Sequence, residues 1–384
     1  MSHSGRAVVA PLAVASALRG VCASVLMTFL PVYAVLTGME LPEIGTVSAI
    51  AMGVSVALIP LAGFAADLLG RKAVLLISTA TMATAPLAPF LVKGYRGVLA
   101  SYILFNLAIN IWIPARAAAV AGSVGRSAMG TSFAVLSLSF QVSRVATPYA
   151  AGVLIKTYGY APVFTAASVI AASAAVIITV FVPEQRSEEK FSLSSFFKGV
   201  IPRREELWFH TFLCIDRSAW RLWMPILNSY MKANLGFGED VIGFANSFRG
   251  LASMLGVMPS GRLVDKYGWV PALLASEVAG ALGALTIVFA NSPEVMVLAL
   301  SLIGLSVALW APSFNVAVPS IVPVKSELGR TYARSNFYRS VAAVPAPWLG
   351  GLLYNIAPVL PMAAGAILLF MNLAVLASLA RRSQ

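Results

Sequence analysis

The sequence predicts an all-α membrane protein, with twelve transmembrane helices in two pseudo-symmetric six-helix bundles. Three observations predict it. Charged residues make up only 11% of the 384-residue chain. Apolar residues, 59% of the total, gather in long blocks. The second half repeats the first at a nearly fixed spacing.

A water-soluble domain carries roughly a quarter charged residues, so this chain cannot cover a water-facing surface in the ordinary way. Its apolar blocks fall at 8–36, 43–66, 73–92, 98–121, 130–155, 162–182, 207–231, 241–262, 270–290, 295–321, 330–354 and 358–380. About 20 helical residues cross a hydrocarbon core of about 30 Å. A helix also satisfies its own backbone polar groups there. The first block is too long for a signal-peptide core and a second follows it closely, so a retained helix is expected. Cys22 and Cys214 both fall inside spans and suggest small buried residues rather than a disulfide framework or a metal site.

The net charge of +12 raises the question of nucleic acid. Its distribution argues against it. Arg71, Lys72, Arg126, Arg262, Lys266, Arg381 and Arg382 are typical: the basic residues sit in the N-terminus, the even loops and the C-terminus. Only Lys93, Arg96, Lys156 and Lys232 fall in odd loops. This is the positive-inside bias, and it places both termini in the cytoplasm. No basic run is interleaved with stacking aromatics.

The longest polar stretch, 184–206, reads as a cytoplasmic linker between bundles at 1–183 and 207–384, with a short surface helix expected over 191–200. A shift of 198 residues brings Arg19 onto Arg217, Gly38 onto Gly236, Gly45 onto Gly243, Asp67 onto Asp265, Gly70 onto Gly268, and Trp112 and Pro114 onto Trp310 and Pro312. A shift of 199 matches Pro148 and Gly152 to Pro347 and Gly351. An even number of helices per half makes the repeats parallel, and such halves enclose a site near the midplane and rock about it.

Between spans two and three stands Gly63-Phe-Ala-Ala-Asp67-Leu-Leu-Gly70-Arg71-Lys72, and between spans eight and nine Gly261-Arg-Leu-Val-Asp265-Lys266-Tyr-Gly268. The paired motif resembles the cytoplasmic loop signature of the major facilitator superfamily, and with the spans, repeat and linker the resemblance covers essentially the whole chain. It implies a membrane transporter that works by alternating access. It also implies a gating role for Gly63, Asp67, Gly70, Arg71, Lys72, Gly261, Asp265 and Gly268, because in the family this loop latches the outward-open state. Arg116 and Arg334 are the expected partners of the two carboxylates. The second copy departs from the pattern, with Trp269 and Val270 in place of the basic pair. Pro148 to Gly152 and Pro347 to Gly351 resemble the Pro-x-x-Gly-Gly signature that the family's exporters carry in span five. Here span five has Ala151 before Gly152, while span eleven keeps Gly350-Gly351. Tyr102 stands near the place where the family's drug/proton antiporters carry a span-four arginine, which counts against drug antiport.

Six arginines lie well within spans: Arg19, Arg144, Arg217, Arg221, Arg249 and Arg339. Asp216 and Glu277 are the comparably embedded acids. A charge at the bilayer centre costs about 2.5–3.5 kcal/mol on insertion scales, so such a set must line a wet cavity or hold an anion. Arg217 and Arg221 are four residues apart and share a helical face, which Asn228 continues. Arg19 is the repeat mate of Arg217, and two such guanidiniums suit phosphate or carboxylate through bidentate bonds. The pair resembles in its chemistry the arginines of spans one and seven in the superfamily's organophosphate/phosphate exchangers. Gln141 with Arg144, Asn110 with Asn106, and Asn246 with Arg249 continue polar stripes on spans five, four and eight, and Arg339 does so on span eleven. These residues are the candidate substrate contacts. Asp216 is the candidate for proton coupling. Glu277, on span nine, suggests a packing or interface role, and Trp112 and Trp310 suggest packing at bends.

The expected function is therefore secondary active transport of a small organic or inorganic anion by a multi-pass, monomeric protein of the cell membrane. The alternative is proton-coupled drug efflux. An enzyme is not expected: His3 and His210 are the only histidines, and no nucleophile–base set, zinc spacing or Walker-type loop is present. No cofactor is expected either.

Overall fold

The computed structural model describes residues 3–58, 69–124, 126–184, 201, 204–321 and 328–382. The signature residues Gly63 and Asp67 and the surface helix expected over 191–200 lie outside them. A helix occupies each of the twelve predicted positions. In the first half these are α1 (His3–Leu36), α2 (Leu41–Ala57), α3 (Arg71–Thr84), α4 (Tyr95–Ala121), α5 (Arg126–Tyr158) and α6 (Tyr160–Phe181). In the second half they are α7 (Leu207–Ala233), α8 (Glu239–Tyr267), α9 (Trp269–Val288) and α10 (Pro293–Ile321). The eleventh span is broken into α11 (Leu328–Ala342) and α12 (Ala346–Ile356), and α13 (Leu360–Arg382) ends the chain. The break follows from Pro345 and Pro347, since proline cannot donate to the preceding turn and its ring clashes with it.

The residues group into two compact units. The first comprises Met1–Met39, Ile50–Phe196 and Gly238–Gly243, and the second Glu40–Ala49, Phe197–Phe237 and Phe244–Gln384. The units thus do not divide at the linker alone, since the first turns of α2 and α8 group with the opposite half. In the first unit α1 packs against α5 and α6, and α3 against α4 and α6. Val8, Leu12, Leu75, Trp112, Ala119 and Ile178 meet in its core. In the second, α9 packs against α10 and α13, and α7 against α11, α12 and α13, around Phe209, Phe212, Leu273, Phe314 and Leu376.

The same turns close both halves. Gly38 ends α1 with φ +91, and the N–H groups of Gly38 and Met39 donate to Val35 and Ala34 at 2.9 and 3.1 Å. Its repeat mate Gly236 takes φ +68. A left-handed closure of this kind favours glycine. Glu43 then reaches back to the Glu40 N–H at 2.9 Å and caps α2. The signature glycines Gly70 and Gly268 precede α3 and α9 with φ/ψ of 88/160 and 83/175, a region essentially reserved to glycine.

Among the described residues, eight helices are long and apolar enough to cross a membrane. The spans outside that set include α5, α7 and α11, which carry Arg144, Arg217, Arg221, Arg334 and Arg339. α5 and α7, at 33 and 27 residues, are long enough but less apolar, whereas α11 has only 15 residues.

The opening turns of α2 and α8 explain the repeat-matched glycines and prolines. A Cβ on Gly45 would strike the Pro347 carbonyl, and one on Gly351 would strike Pro42. In the same way Gly243 abuts the Pro148 carbonyl and Gly152 that of Glu239. Small residues here let backbones touch. Around the second contact Lys156 pairs with Asp240 at 2.8 Å and Tyr160 donates to Glu239 at 3.1 Å.

Candidate functional site

The embedded arginines are built in two ways. Arg19, expected to face an open chamber, is instead closed inside the first unit and is 2% exposed. Its guanidinium donates to Thr79 Oγ1, Ser78 Oγ and the Ala108 carbonyl, each at 3.0 Å. It stacks 4.1 Å over Trp112. The small hydroxyl side chains of α3 give a buried cation partners within its own bundle, so it has no need of water. Arg249 is likewise buried, at 8% exposure, with Nη1 3.8 Å from Met224 Sδ. Beside it Asn246 donates to Asn228 at 2.9 Å, joining α8 to α7. These three residues line an internal helix contact.

Arg217, Arg221 and Arg339 are different. All three are half-buried in the second unit. They stand close enough to repel one another. Among the described residues Arg217 and Arg221 make no hydrogen bond. Arg339 stacks 4.2 Å over Trp310 and lies 3.7 Å from Asp216 Oδ2. Asp216 also accepts from Trp220 Nε1 at 3.1 Å. The arrangement is a cluster of three guanidiniums with one ion-paired carboxylate, on α7 and α11. Such a cluster is underneutralised, and two of its members have every donor free for an anion.

Arg144 and Gln141 are half-buried on α5 of the first unit. Asn110 on α4 donates to Ser55. Trp112 and Trp310, read from the sequence as packing at bends, are each the platform for an arginine guanidinium. The guanidinium comes from α1 in one half and from α11 in the other. The signal was their repeat-matched placement. Glu277 and Asn372, fully buried on α9 and α13, are joined at 3.2 Å. The sequence suggested only packing for Glu277, and the bond to Asn372 is a polar contact between α9 and α13.

At the signature loops Arg71 donates to the Ala118 carbonyl at 2.9 Å and Lys72 to that of Thr179 at 2.8 Å. The pair following Gly70 therefore fastens the start of α3 to the last turns of α4 and α6, where helix carbonyls attract cations. In the second half Trp269 is buried against Phe209, ring centroids 6.4 Å apart, so an aromatic contact replaces the charged one. Gly261 is half-buried and Asp265 is exposed. Arg334, the expected partner, donates to Glu206 Oε1 at 2.8 Å, Thr331 Oγ1 at 3.0 Å and the Ile201 carbonyl at 3.1 Å. Glu206 is buried just ahead of α7. Arg116 lies 3.4 Å from Ser16 Oγ.

Comparison with known proteins agrees with this architecture. Residues 12–223 and 209–384 each match the family described as the Major Facilitator Superfamily. The chain belongs to the Major Facilitator Superfamily. Membership makes it a multi-pass membrane transporter of small molecules, not an enzyme. Among its curated relatives is the multi-drug resistance efflux pump PmrA of Streptococcus pneumoniae, 24% identical over 87% of this chain and 86% of that protein. Another is the multidrug resistance protein MdtG of Salmonella arizonae, 26% identical over 91% and 90%. Among solved structures, the nucleoside transporter NupG superposes with a TM-score of 0.76 at 14% identity, covering 97% of this chain and 98% of that one. The human organic anion transporter MFSD10 superposes with a TM-score of 0.67 at 17% identity, covering 97% and 99%. These structures share the superfamily fold.

Proposed function

We propose that this superfamily member is a secondary active carrier of a small organic anion. In this reading Arg217, Arg221 and Arg339 hold the anion's carboxylate or phosphate, and Arg144 and Gln141 are further contacts. Arg19, Arg249, Asn110, Asn228 and Asn246 shape the bundles that present the site. The paired signature loops, with Asp67, Asp265 and the glycines beside them, gate it. The carrier works as a monomer in the cell membrane with both termini in the cytoplasm. The supporting observation is the guanidinium cluster itself: three half-buried cations facing a single ion-paired carboxylate. A neutral or cationic cargo would leave that charge uncompensated at a depth where charge is costly.

Uptake of labelled carboxylates and phosphate esters into proteoliposomes tests the reading. The wild type should accumulate at least one of them, and Arg217→Ala should abolish that uptake while expression stays normal. Normal uptake by Arg217→Ala ends the anion proposal.

A second reading, proton-coupled efflux of amphipathic drugs, draws on the likeness to PmrA and MdtG. Extrusion of the cationic dye ethidium from inverted vesicles, with no uptake of any anion in the panel, would favour it.

A further inference from the structure

Arg339 is held in a way that its companions in the cluster are not. Among the described residues its guanidinium makes no hydrogen bond: Asp216 Oδ2 lies 3.7 Å from Nη2, and Nε is buried without an acceptor. Its close neighbours are rings. The guanidinium carbon stands 4.2 Å from the centre of the Trp310 ring and 5.7 Å from that of Phe314. These two rings come one turn apart on α10 and stack at 4.7 Å, 15° from parallel. Among the described residues neither Arg217 nor Arg221 lies over a ring.

No hydrogen bond fixes the indole either, since Trp310 Nε1 is buried with no partner. Its pose comes from Phe314, and Phe314 is pinned from two other helices. Phe209 of α7 stacks on it at 6.2 Å, and Tyr332 of α11 meets it edge-on at 5.7 Å. The Tyr332 hydroxyl then donates to the Asn315 carbonyl at 2.8 Å, tying α11 to α10. Tyr332 and Arg339 are seven residues apart, two turns along one face of α11. The face of α11 that bears the cation is thus registered against the face of α10 that bears the rings.

The first half shows the alternative. Arg19 also lies over a tryptophan, but it gives its donors to three protein oxygens. The shift of 198 residues that pairs Trp112 with Trp310 pairs Arg116 with Phe314. The second half therefore has a ring where the first has a cation. The chemical difference is one of edge against face. The five N–H donors of a guanidinium point outward in its plane, and its two faces carry none. Protein oxygens hold Arg19 by its edge and use its donors. Rings hold Arg339 by its face and leave the edge for a ligand.

We propose that Trp310, backed by Phe314, is the positioning residue of the anion site: it sets the plane in which Arg339 offers its donors, and touches no cargo itself. The proposal rests on the anion-carrier reading and deepens it. A planar fork in a fixed orientation matches the two side-by-side oxygens of a carboxylate. A guanidinium ordered before cargo arrives also loses less freedom on binding. Arg217 and Arg221 supply charge, and Arg339 supplies direction as well.

Phenylglyoxal, which modifies guanidinium groups, reads Arg339 without any cargo. The full-length protein in lipid nanodiscs is treated, and modification at Arg339 is followed by mass spectrometry. Trp310→Leu keeps apolar bulk but removes the ring, and Arg339 should then react several-fold faster than in the wild type. Trp310→Phe keeps a ring face and should stay near the wild-type rate. A wild-type rate at Arg339 in Trp310→Leu overturns the proposal. Should Trp310→Leu fail to fold, Phe314→Leu takes its place: it removes the backing ring, and an unchanged Arg339 rate there overturns the proposal equally.

Initial rates of labelled benzoate uptake into proteoliposomes separate binding from turnover. Trp310→Leu should raise KM several-fold and leave kcat unchanged, and Trp310→Phe should recover the wild-type KM. A lower kcat at unchanged KM refutes the positioning role, because the ring would then serve the conformational cycle alone. If the wild type takes up none of the carboxylates and phosphate esters while Arg339 reactivity follows the ring, the anion reading fails and the ring-held guanidinium stands.

Discussion

Replacing Arg339 by glutamine separates its structural role from its role in binding cargo. The wild-type guanidinium lies 3.7 Å from Asp216, with side-chain exposures of 11% and 2%. Unit charges about 4 Å apart attract by about 4 kcal/mol at an effective dielectric near 20. Removing one partner of a buried pair costs about 3–5 kcal/mol, because the other charge is left uncompensated. The stack on Trp310, 4.2 Å away, adds about 1 kcal/mol. Arg217 remains near Asp216 and absorbs part of the loss, which puts Arg339→Gln at the lower end, near 3 kcal/mol. For a unit of this size that is a fall of roughly 6–12 °C in the unfolding midpoint, followed by tryptophan fluorescence in detergent. Adding Asp216→Asn removes the stranded carboxylate and should restore more than half of the loss, the signature of a coupled pair in a double-mutant cycle. Anion uptake should remain absent in the double variant, because the cation has not returned. A single variant within about 0.5 kcal/mol of wild type, or a double variant no better than the single, refutes the pairing as the source of stability.

Arg19→Ala should behave unlike Arg217→Ala. It removes three buried charge-assisted bonds and should lower the yield of folded protein, whereas Arg217→Ala should fold normally and fail to transport; size-exclusion profiles beside uptake data distinguish the two. Gly243→Val forces a side chain onto the Pro148 carbonyl and should cost about 1–3 kcal/mol by overpacking, seen as a lower unfolding midpoint. Lys156→Ala removes an ion pair whose lysine is 62% exposed and should change stability by less than about 1 kcal/mol. Gly268→Ala places a Cβ at φ 83 and should cost about 1–2 kcal/mol, read from the same thermal scans.

The architecture was legible because lipid imposes a coarse code. Twelve blocks near the bilayer's length and a repeat at one spacing left little freedom, and Gly38, Gly236, Gly70 and Gly268 marked turns that recur in both halves. The site was legible only as an inventory. Six embedded arginines could be counted, but nothing along the chain said that Ser78 and Thr79 would surround Arg19 while Arg217 would make no hydrogen bond among the described residues. Symmetry suggested equal roles for these two, and the distribution of hydroxyls on α3 broke that equality. Glu277 looked peripheral for a related reason: its partner Asn372 is 95 residues distant and is brought to it only by packing of α9 against α13. Arg334 also ion-pairs with Glu206, which ends the linker, a partner that the signature motif did not indicate.

The duplicated loop also shows how a copied part can keep its hinge and change its fastener. After Gly70 the joint is made by ammonium and guanidinium groups on carbonyl ends; after Gly268 it is made by an indole pressed into aromatic rings. Concentrated salt weakens the first kind of joint and tightens the second. Ionic strength is therefore a handle by which one half of this duplicated protein can be loosened at its hinge while its twin is held.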